Sequence, residues 1–479
     1  MRTALNYAFF ILIERMTSFF LLPLLTRSLT EADYVIWTQS VIVTGVLTPI
    51  SLLGLQTAII KYLPVWRFGS ATSNSCLFSI HLVIFGLLAL VATVFLCLPG
   101  TMTGLVYGKV LHPLAIAVCF VGLLAGEVLF EILVAILRAN GQITACAQYL
   151  LLKGLLRIGA FLFVLHIFRG GFIQAFAAVA ATSLLMSLVL YVRHLSVIII
   201  ARAGIALSRP YWHEVLGFAL PLVVMSFLIG ANNSIDRVFM VHTCDPRQVA
   251  SYMAAYSIIS VSAIFYSTLG FTLFPALAQF WAIQDKSAAS EIMAKAVKLY
   301  LLLVIPFIAG IAVSGQEVFA LLTPKNYSVS TSVMLLLGCS IGLFGIFQIC
   351  LYIILLAFGS TTFLPILSTL VLLNVGLNAY LVPAYGPIGA ATSIFTSNLI
   401  MSIAAIVMAR SALHLTLPWD ALFRIVFYAS LMAFFIFVAK VFIPEHGTLG
   451  LFFILLFSGC AFLAISFIDK SIGLRSLIR

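Results

Sequence analysis

The chain has 479 residues, of which 63% are hydrophobic and only 8% are charged. Soluble domains carry about a quarter of their residues as charged side chains, so this composition excludes an ordinary soluble protein and indicates a polytopic membrane protein. The formal net charge is +11, but the basic residues are scattered between apolar segments instead of clustered, which argues against a nucleic-acid partner.

Apolar segments follow one another along the whole chain. A helix that crosses a bilayer needs about 20 mostly apolar residues, and the sequence predicts fourteen such spans. Their approximate ranges are residues 5–25, 35–55, 76–98, 112–136, 147–168, 172–192, 215–238, 250–274, 297–314, 330–356, 362–382, 388–409, 422–443 and 449–468. The predicted fold is therefore all-α with about 14 transmembrane helices, and an even number of spans places both termini on one side.

The distribution of basic residues predicts which side that is. Of the 25 Lys and Arg residues, fifteen fall in loops on the side of the termini and six on the opposite side. Cytoplasmic loops of membrane proteins are enriched in Lys and Arg, so both termini are predicted to be cytoplasmic. The remaining four basic residues, Arg15, Lys153, Arg157 and Arg237, lie within spans.

Two helix starts in the sequence resemble each other. Thr30-Glu31-Ala32-Asp33 has the capping pattern of a helix N-terminus before the second span, and Asp245-Pro246 gives the eighth span an Asp cap with Pro in the first turn. Each start is followed by a tyrosine and then, eighteen to twenty residues later, by Leu-Gly: Tyr34 with Leu53-Gly54, and Tyr252 with Leu269-Gly270.

The likeness predicts an internal repeat with six spans between the copies. An even offset gives both copies the same direction, so we expect two six-helix lobes in parallel repeat, which is a transporter architecture. The predicted divisions are residues 1–205 for the N-terminal lobe, 206–409 for the C-terminal lobe, and 410–479 for two additional helices and a tail.

Charged residues within spans are the main candidates for function, since each costs about 2.5 to 3.5 kcal/mol at a helix centre and normally faces a partner or a wet cavity. Eight are predicted to lie in spans: Glu14, Arg15, Glu127, Glu131, Lys153, Arg157, Asp236 and Arg237. Four are acidic and four basic, so their formal charges cancel.

The fourth and fifth spans carry two of these residues each, four positions apart. Residues four apart share one face of a helix, and counting inward from the turn near Gly141 matches Glu131 with Lys153 and Glu127 with Arg157. A two-rung ladder of ion pairs is predicted. Either this ladder joins two helices and neutralises buried charge, or it lines a polar cavity.

In the cavity interpretation, Lys153 and Arg157 contact an anionic substrate, and Arg138 lies at the cytoplasmic mouth. Glu127 or Glu131 takes up a proton.

Two other charged pairs lie within the predicted spans. Glu14 and Arg15 are adjacent and cannot both face one partner. Asp236 and Arg237 either form a helix end that extends to the outer surface or have a functional role.

Searches of the sequence for phosphate-binding, dinucleotide-binding, zinc-protease and hydrolase motifs find none. No enzyme activity, metal or cofactor is predicted. Gly122 and Gly126 have a spacing that would allow close helix packing, although chance explains such a spacing in a chain with 31 glycines.

Short motifs around the repeat starts carry a resemblance to a known family. They are Leu24-Leu25-Thr26-Arg27-Ser28-Leu29-Thr30-Glu31-Ala32-Asp33-Tyr34 with Leu53-Gly54-Leu55, then Phe218-Ala219-Leu220-Pro221, Asn233-Ser234-Ile235-Asp236-Arg237 and Tyr252-Met253-Ala254-Ala255-Tyr256. The chain resembles bacterial oligosaccharide-repeat flippases (O-antigen translocases) of the multidrug/oligosaccharidyl-lipid/polysaccharide (MOP) exporter superfamily. It departs from them at Val35, where the family usually has glycine.

The resemblance implies transport of an undecaprenyl-diphosphate-linked oligosaccharide, an O-antigen, capsule or exopolysaccharide repeat unit, across the bacterial inner membrane by alternating access. The candidate substrate contacts from the charged residues are Lys153, Arg157, Arg138 and Arg15, and the candidate ion-coupling or ion-pair residues are Glu127, Glu131, Glu14, Asp236 and Arg237. The expected partners are the lipid-linked oligosaccharide, membrane lipids, a coupling proton or sodium ion and a polysaccharide polymerase complex.

Three alternatives remain at this point. A cation-coupled multidrug exporter and a flippase for the peptidoglycan lipid precursor belong to the same superfamily. A membrane glycosyltransferase or ligase that uses the same lipid carrier would need a sizeable extramembrane loop, and the longest gaps between predicted spans are only about twenty residues.

Overall fold

The computed structural model describes residues 21–64, 71–199, 209–413, 419–442 and 447–469. Within these ranges the backbone forms helices and connecting turns and contains no β-strand. The predicted all-α fold is confirmed.

The described part of α1 covers residues 21–28. The next nine helices are α2 (Glu31–Ser51), α3 (Leu55–Tyr62), α4 (Ala71–Cys97), α5 (Pro99–Tyr107), α6 (Pro113–Ala139), α7 (Ile143–Leu162, continued by a π-helical turn Phe163–Ile167), α8 (Phe172–Ile199), α9 (Arg209–Asn232) and α10 (Ile235–Thr243).

The remaining helices are α11 (Pro246–Ile259), a 3-10 turn (Ser260–Ser262), α12 (Ala263–Ala282), α13 (Lys286–Leu322), α14 (Thr331–Ala357), α15 (Gly359–Tyr385), α16 (Pro387–Leu413), α17 (Trp419–Phe442) and α18 (Gly447–Ile468).

Twelve helical stretches in the described ranges are long and apolar enough to cross a bilayer, and they coincide with the second to the thirteenth predicted spans. The fourteenth predicted span contains a shorter apolar stretch, Gly450–Ser466. The first, residues 5–25, lies outside the described residues except for its last five positions.

Both predicted helix starts are confirmed, with different capping. The backbone N–H of Asp33 donates to Thr30 Oγ1 at 3.2 Å, and the Thr30 hydroxyl donates to Asp33 Oδ2 at 2.7 Å. The first of these bonds satisfies one of the unpaired N–H groups at the start of α2. Asp245 is the N-cap of α11 and Pro246 its first residue, but the Asp245 side chain makes no capping hydrogen bond.

The repeated Leu-Gly pairs occupy different structural positions. Gly54 has a φ of +64° and separates α2 from α3, a backbone conformation that favours glycine. In the second copy the break is the 3-10 turn Ser260–Ser262, and Gly270 lies within α12. The missing Cβ of Gly270 makes room there for the Tyr352 side chain.

The described residues form two compact units, one up to His242 and one from Thr243 onward. In the first unit, α6 is the central helix and packs against α2, α3, α4, α5, α7 and α8. In the second unit, α14 packs against α11, α12, α13, α15 and α16, while α17 packs on α13 and α18. The sequence-based division into residues 1–205, 206–409 and 410–479 stays a prediction.

Candidate functional site: a charged cavity in the first unit

The predicted hairpin of the fourth and fifth spans is present as α6 and α7. The chain reverses between Ala139 and Ile143, where Gly141 has a φ of +74°. The hairpin brings the acidic face of α6 towards the basic face of α7, so the four charged residues predicted to form a ladder meet in one region of the first unit.

One carboxylate in this region binds two cations. Lys153 Nζ donates to Glu127 Oε2 at 2.8 Å, and the Arg157 guanidinium donates to Glu127 Oε1. The predicted pair of Glu127 with Arg157 is confirmed. The predicted pair of Glu131 with Lys153 is wrong, because Lys153 binds the carboxylate one helical turn away.

The position of Lys153 explains this difference. Its ammonium lies 3.7 Å from the centre of the Phe130 ring, within the range of a cation–π contact. A lysine stem spans about one helical turn, so the side chain reaches past the level of its own Cα. Counting depth along the helices does not capture this reach.

Arg157 is held from a second side by α8. Its Nε donates to Ser183 Oγ at 2.8 Å, while the guanidinium also binds Glu127. A Cβ on Gly126 would lie 2.9 Å from the backbone of Ser183 and Leu184. The glycine therefore permits the close approach of α6 and α8 that places Ser183 beside Arg157.

Sequence reasoning missed Ser183, because it considered only ionisable side chains in the spans. A weak signal was available, since small residues at positions 180 and 183 of the sixth span face Gly122 and Gly126 of the fourth. Two facing stripes of small residues indicate close helix packing.

A cavity of about 340 Å³ lies beside these residues, entirely within the first unit. This volume is at the lower end of the range for small-molecule pockets, about 300 to 1,000 Å³. We call it the charged cavity. Its lining residues are Val41, Thr44, Gly45, Thr48, Pro49, Leu52, Gln56, Leu123, Glu127, Glu131 and Arg157.

Glu131 and Arg157 reach the charged cavity, whereas Lys153 does not line it. The Lys153 side chain is only 9% exposed and that of Arg157 is 24% exposed. Glu131 makes no ion pair within the part of the chain that the structure describes. The two basic residues of α7 thus differ: Lys153 neutralises Glu127 from behind, and Arg157 presents its guanidinium at the cavity wall.

Arg138 is exposed in the last turn of α6, eleven positions beyond Glu127. A cation in this position interacts favourably with the negative end of the helix dipole.

Asp236 and Arg237 lie at the start of α10. They are 0% and 3% exposed, with Arg237 Nε 3.9 Å from Asp236 Oδ2. The burial contradicts the interpretation of this pair as a helix end that extends to the surface. Glu14 and Arg15 lie outside the described residues.

Solved structures define the fold class. The structure titled "Lipid II flippase MurJ, inward closed conformation" is similar over 99% of both chains, with a TM-score of 0.77 and 14% identity. A MOP superfamily transporter from Pyrococcus furiosus has a TM-score of 0.60 and 15% identity over 86% of this chain and 96% of that one.

An inward-facing multidrug resistance MATE family transporter gives a TM-score of 0.62 at 15% identity, over 84% of this chain and 98% of that one. The fold is therefore that of MOP superfamily transporters. No curated protein sequence matches this chain significantly.

The sequence itself carries the family assignment. The family model described as "Polysaccharide biosynthesis protein" matches residues 2–281, more than half of the chain. The chain belongs to this family, and its fold is shared with the solved MOP superfamily structures.

Proposed function

We propose that the protein is a flippase for an undecaprenyl-diphosphate-linked oligosaccharide, which it moves from the cytoplasmic to the outer leaflet of the bacterial inner membrane by alternating access. A sugar cannot cross hydrocarbon unaided, because each unsatisfied polar group in the bilayer core costs several kcal/mol. The proposal therefore requires a polar chamber inside an apolar protein.

The charged cavity is the observation that carries this proposal. Its wall holds a guanidinium and two carboxylates at the level of membrane-spanning helices, where ionisable residues normally mark a substrate or ion pathway. It is lined by the second half of α2 and by the part of α6 that leads to the α6–α7 turn. The predicted topology assigns that turn to the cytoplasm, the side on which the substrate is loaded.

In this proposal Arg157 and Arg138 contact the anionic diphosphate, and Lys153 and Arg15 contribute further positive charge. Glu127, Glu131, Glu14 and Asp236 are the candidates for binding a coupling proton or sodium ion, and Arg237 is the candidate ion-pair partner of Asp236. The termini are cytoplasmic, and a polysaccharide polymerase complex acts on the flipped product.

A second candidate, cation-coupled export of drugs, is favoured by one observation. Glu131 lies in the charged cavity without an ion pair from the described residues, and a free carboxylate in a membrane cavity attracts organic cations. Arg157 in the same wall counts against this candidate, because it repels them.

Filling the charged cavity tests the proposal. Gly45 lines it, and a Cβ added there meets no atom within 4 Å. Gly45→Leu should therefore fold normally, because leucine also favours the helical conformation more than glycine does. The leucine side chain should occupy the charged cavity. We expect loss of surface glycan in the source bacterium deleted for the native gene, with unchanged membrane levels.

The matched control is Gly86→Leu. Gly86 also lies within a helix, α4, has open space around its added Cβ, and does not line the charged cavity. This variant should restore surface glycan as well as the wild type. Full glycan export by Gly45→Leu at normal protein levels would contradict the proposed function of the cavity.

A further inference from the structure

We propose that the α2–α3 side of the charged cavity is a binding subsite for sugar hydroxyl groups, distinct from the groups that contact the diphosphate; the inference rests on the proposed function. The subsite consists of Thr44, Thr48 and Gln56, which we call the acceptor wall. Glu131 lines the same cavity from α6.

Two atoms of the acceptor wall lack hydrogen-bond partners within the described residues. They are Thr44 Oγ1 and Gln56 Oε1, both buried. Thr44 is only 4% exposed. A buried polar atom without a partner costs about 1 to 3 kcal/mol, so it is maintained at the expense of stability unless a ligand satisfies it.

The hydrogen-bonding capacity of the wall restricts the ligand. The Thr48 hydroxyl donates to the Thr44 carbonyl at 2.8 Å, so towards the cavity it only accepts. An amide oxygen such as Gln56 Oε1 also only accepts. Thr44 Oγ1 can donate or accept.

Pro49 removes one backbone donor from α2 in this region. It lies within α2 and has no N–H to donate to the carbonyl of Gly45 four residues before it. Both residues line the charged cavity.

A diphosphate cannot satisfy such a wall. Its oxygens are acceptors at neutral pH and offer no hydrogen to Gln56 Oε1 or Thr48 Oγ1. A sugar ring offers several hydroxyl groups, each able to donate to one partner and accept from another. The arrangement therefore fits an uncharged polyhydroxylated ligand, with the Arg157 guanidinium in the same cavity available to the more anionic part of the substrate.

The test uses purified full-length protein and three probes: undecaprenyl diphosphate, the same lipid carrying one N-acetylglucosamine, and ethidium. We expect the wild type to bind the sugar-bearing lipid more tightly than undecaprenyl diphosphate. Thr44→Val and Gln56→Leu keep the shape and remove hydrogen-bonding groups. Each should weaken binding of the sugar-bearing lipid by about three- to tenfold and leave binding of undecaprenyl diphosphate unchanged.

Two further variants keep the test independent of folding. Thr44→Ser retains the hydroxyl and should bind the sugar-bearing lipid like the wild type. Thr93→Val is the matched control, since the Thr93 hydroxyl donates to Ala89 within α4, away from the cavity. The melting temperature of unliganded Thr44→Val should be unchanged or raised, because an unpaired buried hydroxyl has been removed.

The outcomes separate this inference from the proposed function. If the wild type binds neither lipid, both the sugar subsite and the proposed function are overturned. If the wild type binds both lipids equally tightly, the sugar subsite alone is overturned. The same holds if Thr44→Val and Gln56→Leu weaken the binding of both lipids equally, or the binding of neither. Altered ethidium binding with unchanged lipid binding would identify the wall as part of a cation site and would also overturn the inference.

Discussion

At the scale of single residues, the cavity is organised around one carboxylate. Glu127 receives hydrogen bonds from Lys153 and Arg157, and the Arg157 guanidinium is also fixed by Ser183. Removing one member of a buried ion cluster leaves its partners uncompensated, at a cost of about 3 to 5 kcal/mol. The two glutamates of α6 should therefore differ sharply in their importance for folding.

This difference gives the first prediction. Glu127→Gln leaves two cations without a carboxylate within 4 Å among the described residues, and the free energy of unfolding should fall by about 3 to 5 kcal/mol. Glu131→Gln removes no ion pair of the described residues and should lower it by less than about 1 kcal/mol. Thermal unfolding of both purified variants in detergent measures the difference. Equal losses in the two variants would show that Glu131 is also a structural partner.

The sequence identified the charged residues of this site because ionisable side chains are rare within apolar spans. It could not predict which side chains meet, since a lysine reaches a full turn beyond its own Cα, nor that Lys153 lies against Phe130. Thr44, Thr48 and Gln56 carry no charge, so nothing in the residue pattern distinguished them from ordinary span residues.

At the scale of helices, the contact of α6 with α8 positions Arg157. Ser183 belongs to α8, and it reaches Arg157 because Gly126 has no side chain in the way. Gly122, one turn earlier, faces α8 less closely: its added Cβ would lie 3.4 Å from the Ala180 Cβ, an ordinary contact.

These two glycines form a matched pair for the second prediction. The Cβ of Gly126→Ala would lie 2.9 Å from two backbone atoms of α8, so α8 should move away from α6. We expect this variant to lose transport and some thermal stability. Gly122→Ala should be tolerated in both respects. Surface glycan and melting temperature are the two measurements, and a fully active Gly126→Ala would mean that the contact with Ser183 does not position Arg157.

Most helices were predictable from apolar run length alone, because only helices satisfy every backbone group in hydrocarbon within one segment. The breaks were less predictable. The positive φ of Gly54 marks one break, but the corresponding break before α12 is a 3-10 turn of serine and valine, residues that carry no strong turn signal.

At the scale of the whole molecule, the distribution of basic residues predicts the orientation in the membrane. Reporter fusions after Leu29, Val110 and Pro246 should be periplasmic, and fusions after Ser70, Leu207 and Gln284 should be cytoplasmic, because loops rich in Lys and Arg stay inside. Alkaline phosphatase and green fluorescent protein fusions distinguish the two sides. A cytoplasmic signal at Leu29 would contradict the predicted orientation.

The central claim is that the first unit holds a chamber for a lipid-linked oligosaccharide. Its most direct test is transfer between leaflets in proteoliposomes, with undecaprenyl-diphosphate-linked oligosaccharide, the peptidoglycan lipid precursor and ethidium as substrates. The wild type should transfer the lipid-linked oligosaccharide and neither of the others, Gly86→Leu should match it, and Gly45→Leu should show no transfer. Transfer of ethidium or of the peptidoglycan precursor, with none of the oligosaccharide lipid, would contradict the account.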